Sequence, residues 1–193
     1  MLMAFICKID VRKVPALYGN AKLECDGKTY ERLSLFDTGA MVCHMSYGLW
    51  KQMELDEVIF NDNPPLMDLL GIKSKDDLTF DTLPMTAVVT RLGNDVEIKA
   101  YEFCLDVLTL GIQSLSYSPI KLEKITVRLI DSPKWQFLVG WNVLKYLDTF
   151  YRASKNEAIY TLNLTAEGRS WLETDRRNKI ANYMTSRFSY LAV

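Results

Sequence analysis

Hydrophobic and polar residues alternate along much of this chain, and this period of two predicts strands with one buried face. The alternation is clear over residues 5–12 and 21–26. Asp26-Gly27 then favours a two-residue hairpin turn, so the chain is expected to return as an antiparallel strand ending at Phe36. Further strands are predicted over residues 85–91, 96–110, 125–129, 137–140, 149–152 and 158–164.

Short helices are predicted between and after these strands. Ser46 can cap a helix that carries Leu49, Trp50 and Met53. Asn142, which follows an apolar strand and a glycine, is expected to cap a second short helix. Near the end of the chain Ser170-Trp-Leu-Glu173 fits a capping box, which predicts a C-terminal helical extension over residues 165–193.

Residues 54–83 differ in composition from the strands around them. They hold eight acidic side chains and two basic ones, with a break at Asn63-Pro-Pro65. The pattern predicts a solvated surface excursion with one short helical turn from Leu66 to Ile72. The sequence therefore describes a mostly β domain over residues 1–164 with an acidic insertion at about 54–83.

Charge and composition exclude several classes of function. With 23 basic and 24 acidic residues, the chain has no net field to attract nucleic acid or a membrane surface. The N-terminus lacks the features of a signal peptide and no apolar run is long enough to span a membrane, so a cytoplasmic protein is expected. The four cysteines lack C-x-x-C spacing, and Cys43 and His44 would point to opposite faces of a strand, so no metal site and no cofactor are predicted.

The chemistry in the sequence centres on Asp37. This carboxylate follows an apolar strand and is itself followed by Thr38 and Gly39. The strand can hold the carboxylate rigidly, Gly39 allows close approach of a ligand or another backbone, and Thr38 offers a hydroxyl to a neighbouring loop. The simpler interpretation is an Asx turn, in which Asp37 accepts hydrogen bonds from the backbone that follows it.

Three segments together resemble the retropepsin family of aspartic proteases. They are Leu23-Glu-Cys-Asp-Gly27, Leu33-Ser-Leu-Phe-Asp-Thr-Gly-Ala40 and Phe137-Leu-Val-Gly-Trp-Asn-Val-Leu144. The resemblance covers about residues 5–53 and 84–164. It implies a closed or barrel-like retropepsin (acid protease) fold, mostly β with short helices.

The resemblance also implies a role for each matching residue. Asp37 would be the catalytic aspartate, supported by Thr38, Gly39 and Ala40, with Thr38 bonding across to a partner subunit. A second group would pack behind this loop, namely Leu138, Val139, Gly140 and Asn142. The candidate flap over the substrate is the hairpin of Arg91, Leu92, Gly93 and Asn94, which has one glycine where the family is usually glycine-rich.

A single Asp-Thr-Gly has a consequence for assembly. Hydrolysis by this chemistry needs two carboxyl groups that share a proton, so the second must come from another copy of the chain. The sequence therefore predicts a homodimeric aspartic endopeptidase acting on polypeptide substrates. Two alternatives stay open: a catalytically inactive module of the same fold that binds peptides or only dimerises, and an unrelated β-rich protein with a chance Asp-Thr-Gly.

Overall fold

A computed structural model describes residues 4–10, 16–62, 64–92, 96–111, 119–132, 134–152 and 157–162. The described chain is mostly β and contains ten strands, β1 to β10 in chain order. Their bounds are Ala4–Asp10, Ala16–Cys25, Lys28–Phe36, Cys43–Ser46, Ala87–Leu92, Val96–Leu110, Ile120–Ile130, Phe137–Val139, Leu147–Arg152 and Glu157–Leu162. Four helices, α1 to α4, span Tyr47–Gln52, Leu55–Asp62, Pro64–Leu69 and Trp141–Leu144.

Six of the strands close into a barrel. The hydrogen-bonded order is β5-β6-β7-β4-β8-β3-β2-β1-β10-β9, and an additional pairing joins β6 to β2. This pairing, in which Ala21 lies opposite Leu110 and Glu24 opposite Val107, closes the ring β2-β3-β8-β4-β7-β6. Closure removes the free edges that an open sheet of these strands would expose. The barrel-like, mostly β architecture predicted from the sequence is confirmed.

The barrel interior is filled by the apolar residues of the alternating pattern. Ala21, Leu23 and Cys25 of β2 are buried while the charged residues between them are partly exposed. The predicted hairpin is present: Cys25 pairs with Lys28, and both Asp26 and Gly27 have positive φ. Hydrophobic residues from β3, β4, β6, β7 and β8 complete one continuous core.

The acidic segment holds more helix than its sequence pattern suggested. Instead of one turn it forms α2 and α3, followed by two short 3₁₀ helices at Lys75–Asp77 and Phe80–Thr82. Met67, Ile72 and Leu78 are buried in a small cluster of their own. The many charged residues obscured these helices in the sequence, because a few well-spaced apolar residues are enough to pack short helices against one another.

Outside the barrel, β1 pairs with β2 and β10, and β10 pairs with β9. The strand pair predicted near residues 149–164 is thus present as β9 and β10. The predicted C-terminal helical extension, residues 165–193, lies outside the described residues. No helix in the described part of the chain is long and apolar enough to cross a membrane.

Candidate active site

Asp37 lies directly after β3, where the strand leaves the barrel wall. Its backbone N–H donates to the carbonyl of Val139 at 3.0 Å, which continues the parallel pairing of Phe36 with Val139. The side chain is half-buried. A carboxylate anchored in this way has its backbone fixed by two strands while the residue remains partly exposed.

The loop after Asp37 is a tight turn that organises one carboxylate oxygen. The N–H of Gly39 donates to Asp37 Oδ1 at 2.8 Å, and the N–H of Ala40 donates to the Asp37 carbonyl at 3.3 Å. The Asx turn is therefore present. Oδ2 accepts no hydrogen bond from any residue that the structure describes. Thr38 and Gly39 are exposed, whereas Ala40 is half-buried.

Strand β8 lies behind this loop, inserted between β3 and β4. It runs parallel to β3, with Leu35 opposite Leu138, and antiparallel to β4, with His44 opposite Leu138. Gly140 follows the strand and lies against the loop backbone: a Cβ there would lie 2.5 Å from the carbonyl carbon and oxygen of Val42. Leu138, Val139 and Gly140 therefore lie directly behind the Asp37 loop, and only glycine fits at the last position.

Asn142 joins the loop to the barrel, although not as a helix cap. Its Oδ1 accepts from the backbone N–H of Cys43 at 2.9 Å, and its Nδ2 donates to the Thr126 carbonyl at 2.9 Å. The predicted N-cap role is wrong, because α4 begins at Trp141 and Gly140 is its N-cap. The side chain instead bonds β4 and β7, which satisfies polar groups that the barrel buries.

The candidate flap coincides with the hairpin of β5 and β6. The register runs from Ala87 opposite Tyr101 to Leu92 opposite Val96. Arg91 is exposed and forms an ion pair with Glu97 at 2.9 Å. The tip predicted at Gly93 and Asn94 lies outside the described residues.

A row of side chains crosses the outer face of the barrel beside Asp37. Direct pairings join Leu35 to Leu138, Leu138 to His44, His44 to Arg128, and Arg128 to Glu102. Residues paired in this way place their side chains on the same face of a sheet. The neighbouring positions Phe36, Val139 and Met45 belong to the core, so this row faces the opposite way. Asp37 is the next position after Leu35 in the alternation of β3, on that same outer face.

His44 is the buried centre of this row. Its Nε2 lies 3.2 Å from Thr90 Oγ1, and Arg128 Nη1 donates to the same hydroxyl at 3.2 Å. The Thr90 hydroxyl therefore links the Arg128 guanidinium to the His44 imidazole. Nδ1 is buried and has no hydrogen-bond partner among the described residues.

Burial, together with the nearby Arg128 charge, lowers the pKa of His44 from 6.5 to about 4. The Val42 carbonyl and the Asp37 carboxylate act in the opposite direction. Asp37 is thus close enough to influence the imidazole. Sequence reasoning considered His44 only as a metal ligand, and missed Thr90 and Arg128 entirely. The sequence contains one signal for Arg128: it lies between the apolar residues Val127 and Leu129 of an alternating strand.

The cysteines form no metal cluster with other residues in the described part of the chain. Cys25 and Cys43 are buried, whereas Cys104 is partly exposed. Burial raises the pKa of the Cys25 thiol, and the carboxylates of Asp26 and Asp106 raise it further. This thiol is therefore protonated and chemically unreactive at neutral pH.

Comparisons with known proteins find similarity only at the level of structure. No protein-family profile matches the sequence, and no curated protein matches it significantly. The chain is similar to a retropepsin-like aspartic protease from Rickettsia conorii, with a TM-score of 0.45 and 14% identity over 84% of this chain and 93% of that one. It is also similar to the retroviral protease-like domain of Ddi1 from Leishmania major, with a TM-score of 0.39 and 11% identity over 79% of this chain and 92% of that one.

Proposed function

We propose that this chain is an aspartic endopeptidase that acts as a homodimer, with one Asp37 from each subunit. The observation that carries the proposal is the setting of Asp37. Its backbone is fixed by Val139, Oδ1 is held by Gly39, and Oδ2 accepts no hydrogen bond from the described residues. A carboxylate fixed in this way can lie against the Asp37 carboxylate of a second subunit without a change in the conformation of its loop.

The proposed reaction uses the two carboxyl groups in different protonation states. The ionised carboxylate takes a proton from a water molecule while the water oxygen attacks the peptide carbonyl carbon. The protonated carboxyl group donates its proton to the carbonyl oxygen, which gives a neutral tetrahedral diol. When the C–N bond breaks, one proton goes to the leaving nitrogen and one returns to the pair, which restores the starting state.

The surface around the loop supports association with a second copy. Met41 and Trp141 are 71% and 43% exposed, although both are large and apolar. Both adjoin the Asp37 loop, since the N–H of Trp141 donates to the Ala40 carbonyl at 2.6 Å. Thr38 is exposed beside them. A two-fold axis through this region would cover the apolar side chains and bring the two loops together.

Replacing Asp37 tests the proposal directly. Asp37→Asn keeps the size of the side chain and its hydrogen bond from Gly39, so the fold should persist while proteolysis is lost. The measurement is the initial rate of cleavage of a casein-type protein substrate by the wild type and the variant, with and without a pepstatin-type inhibitor. Thermal unfolding of both proteins provides the check on folding.

Asp26→Asn is a matched control, because Asp26 is an exposed residue at the distant hairpin turn. This variant should cleave at the wild-type rate. If Asp37→Asn retains activity within about tenfold of the wild type, Asp37 does not have the proposed role. A wild-type dimer that cleaves no substrate would favour the inactive peptide-binding module.

A further inference from the structure

The outer face of the barrel beside Asp37 carries a cationic side chain, Arg128. The row Leu35, Leu138, His44, Arg128 leads away from the strand that ends at Asp37. Adjacent strands are about 4.8 Å apart, so Arg128 on β7, three strands from β3, lies roughly 14 Å from it, or about four residues of an extended peptide. A peptide bound over Asp37 would thus place a side chain near this row.

Arg128 is the part of the row that a ligand can reach. Its side chain is 26% exposed, whereas His44 and Thr90 are each 4% exposed. Its Nη1 is held by the Thr90 hydroxyl at 3.2 Å. Its Nη2 has no hydrogen-bond partner among the described residues, so one edge of the guanidinium is available.

The ion pair of Arg128 with Glu102 is a weak one. Nε lies 3.5 Å from Glu102 Oε2, at the limit of a hydrogen bond, and Glu102 is 42% exposed. An exposed pair with this geometry contributes little to stability. A well-formed structural ion pair would use the planar fork of the guanidinium in a bidentate contact. The geometry leaves Arg128 able to bind another carboxylate.

Thr90 and His44 support Arg128 from behind. Thr90 is buried in β5, and its hydroxyl bridges Arg128 to the neutral imidazole. The ring of Trp135 packs edge-on against His44 at a centroid distance of 5.9 Å. Burying an imidazole whose Nδ1 has no partner among the described residues costs free energy. Packing alone would be served better by an apolar side chain.

We propose that Arg128, positioned by Thr90 and His44, selects peptides with an acidic side chain within about four residues of the scissile bond. The proposal rests on the endopeptidase function proposed above. Arg128 is the specificity-determining residue, and Thr90 and His44 are positioning residues. An aspartate or glutamate side chain would accept charge-assisted hydrogen bonds from the free edge of the guanidinium.

The test begins with the wild-type dimer and a library of proteome-derived peptides, with cleavage sites identified by mass spectrometry. Acidic residues should be enriched at one position near the cut. A matched peptide pair with Glu or Gln at that position should then differ in kcat/KM by about tenfold or more, as expected for a charge-assisted bond.

Variants assign the preference to the cluster. Arg128→Gln should bring the Glu-to-Gln ratio of kcat/KM close to one, because it removes the charge and keeps most of the side-chain length. Thr90→Val should lower the ratio, and Thr90→Ser, which restores the hydroxyl, should rescue it. Lys121→Gln is the matched control, since it removes an exposed positive charge from the same strand and should leave the ratio unchanged.

A peptide-binding assay with a variant that cannot cleave distinguishes failure of this inference from failure of the proposed function. Asp37→Asn protein is applied to an array of dodecamer peptides in which each position carries Glu, Gln or Lys in turn. Cleavage without an acidic preference overturns the inference and leaves the peptidase intact. Absence of cleavage together with Arg128-dependent binding of Glu peptides overturns the peptidase and supports the acidic subsite. Absence of any acidic preference in both assays overturns the subsite.

Discussion

At the scale of single residues, His44 gives the structure a measurable pH dependence. Its pKa is lowered to about 4 by burial and by Arg128, against the opposing influence of Val42 and Asp37. Between pH 6.5 and 4 the unfolded chain binds a proton at this residue and the folded chain does not. The free energy of unfolding should therefore fall by about 3 kcal/mol from this residue as the pH drops through that window.

The measurement is simplified because His44 is the one histidine in the sequence. Proton NMR should show a single imidazole signal that titrates near pH 4 in the folded protein. Chemical denaturation at pH 6.5 and pH 4.5 should show a smaller loss of stability for His44→Gln than for the wild type. An imidazole that titrates near pH 6.5 would mean that His44 is not buried beside Arg128.

At the scale of elements, the junction of β8 with the Asp37 loop depends on Gly140. A Cβ at this position would lie 2.5 Å from backbone atoms of Val42 and 2.9 Å from the Ala40 carbonyl oxygen. Backbone cannot move aside as a side chain can, so Gly140→Ala should cost about 2 kcal/mol or more of stability. Equilibrium denaturation measures this loss, and proteolytic activity should fall with it.

Gly48→Ala provides the matched control for that substitution. Gly48 lies in α1, and an added Cβ would meet only Ser46 Oγ at an ordinary 3.9 Å. Alanine there should leave stability unchanged or raise it by about 0.5 kcal/mol, because it favours the helix. Equal effects of the two substitutions would show that the contact at Gly140 is not tight.

At the scale of the whole molecule, activity should depend on self-association, since each chain supplies one Asp37. Specific activity should fall when the protein is diluted below its dimer dissociation constant. Mixing with a co-expressed Asp37→Asn chain should lower the activity further through mixed dimers. Analytical ultracentrifugation at the assay concentration provides the decisive comparison, because an active monomer would contradict the two-carboxylate mechanism.

The sequence alone determined the features that depend on local periodicity. Alternation located the barrel strands, Asp26-Gly27 located the hairpin, and Ser46 caps α1 as expected, accepting a hydrogen bond from the N–H of Leu49. The position of Asp37 after an apolar strand was also readable. These features follow from side chains one to four residues apart, whose spacing decides which face is buried.

The tertiary structure decided what lies next to what. Only the insertion of β8 between β3 and β4 places Gly140 against Val42 and turns Asn142 from an expected cap into a link between β4 and β7. His44 and Thr90 are 46 residues apart, and Thr90 and Arg128 are 38 apart. Strand order and closure depend on contacts over such distances, and a period of two carries no information about which strand becomes the neighbour.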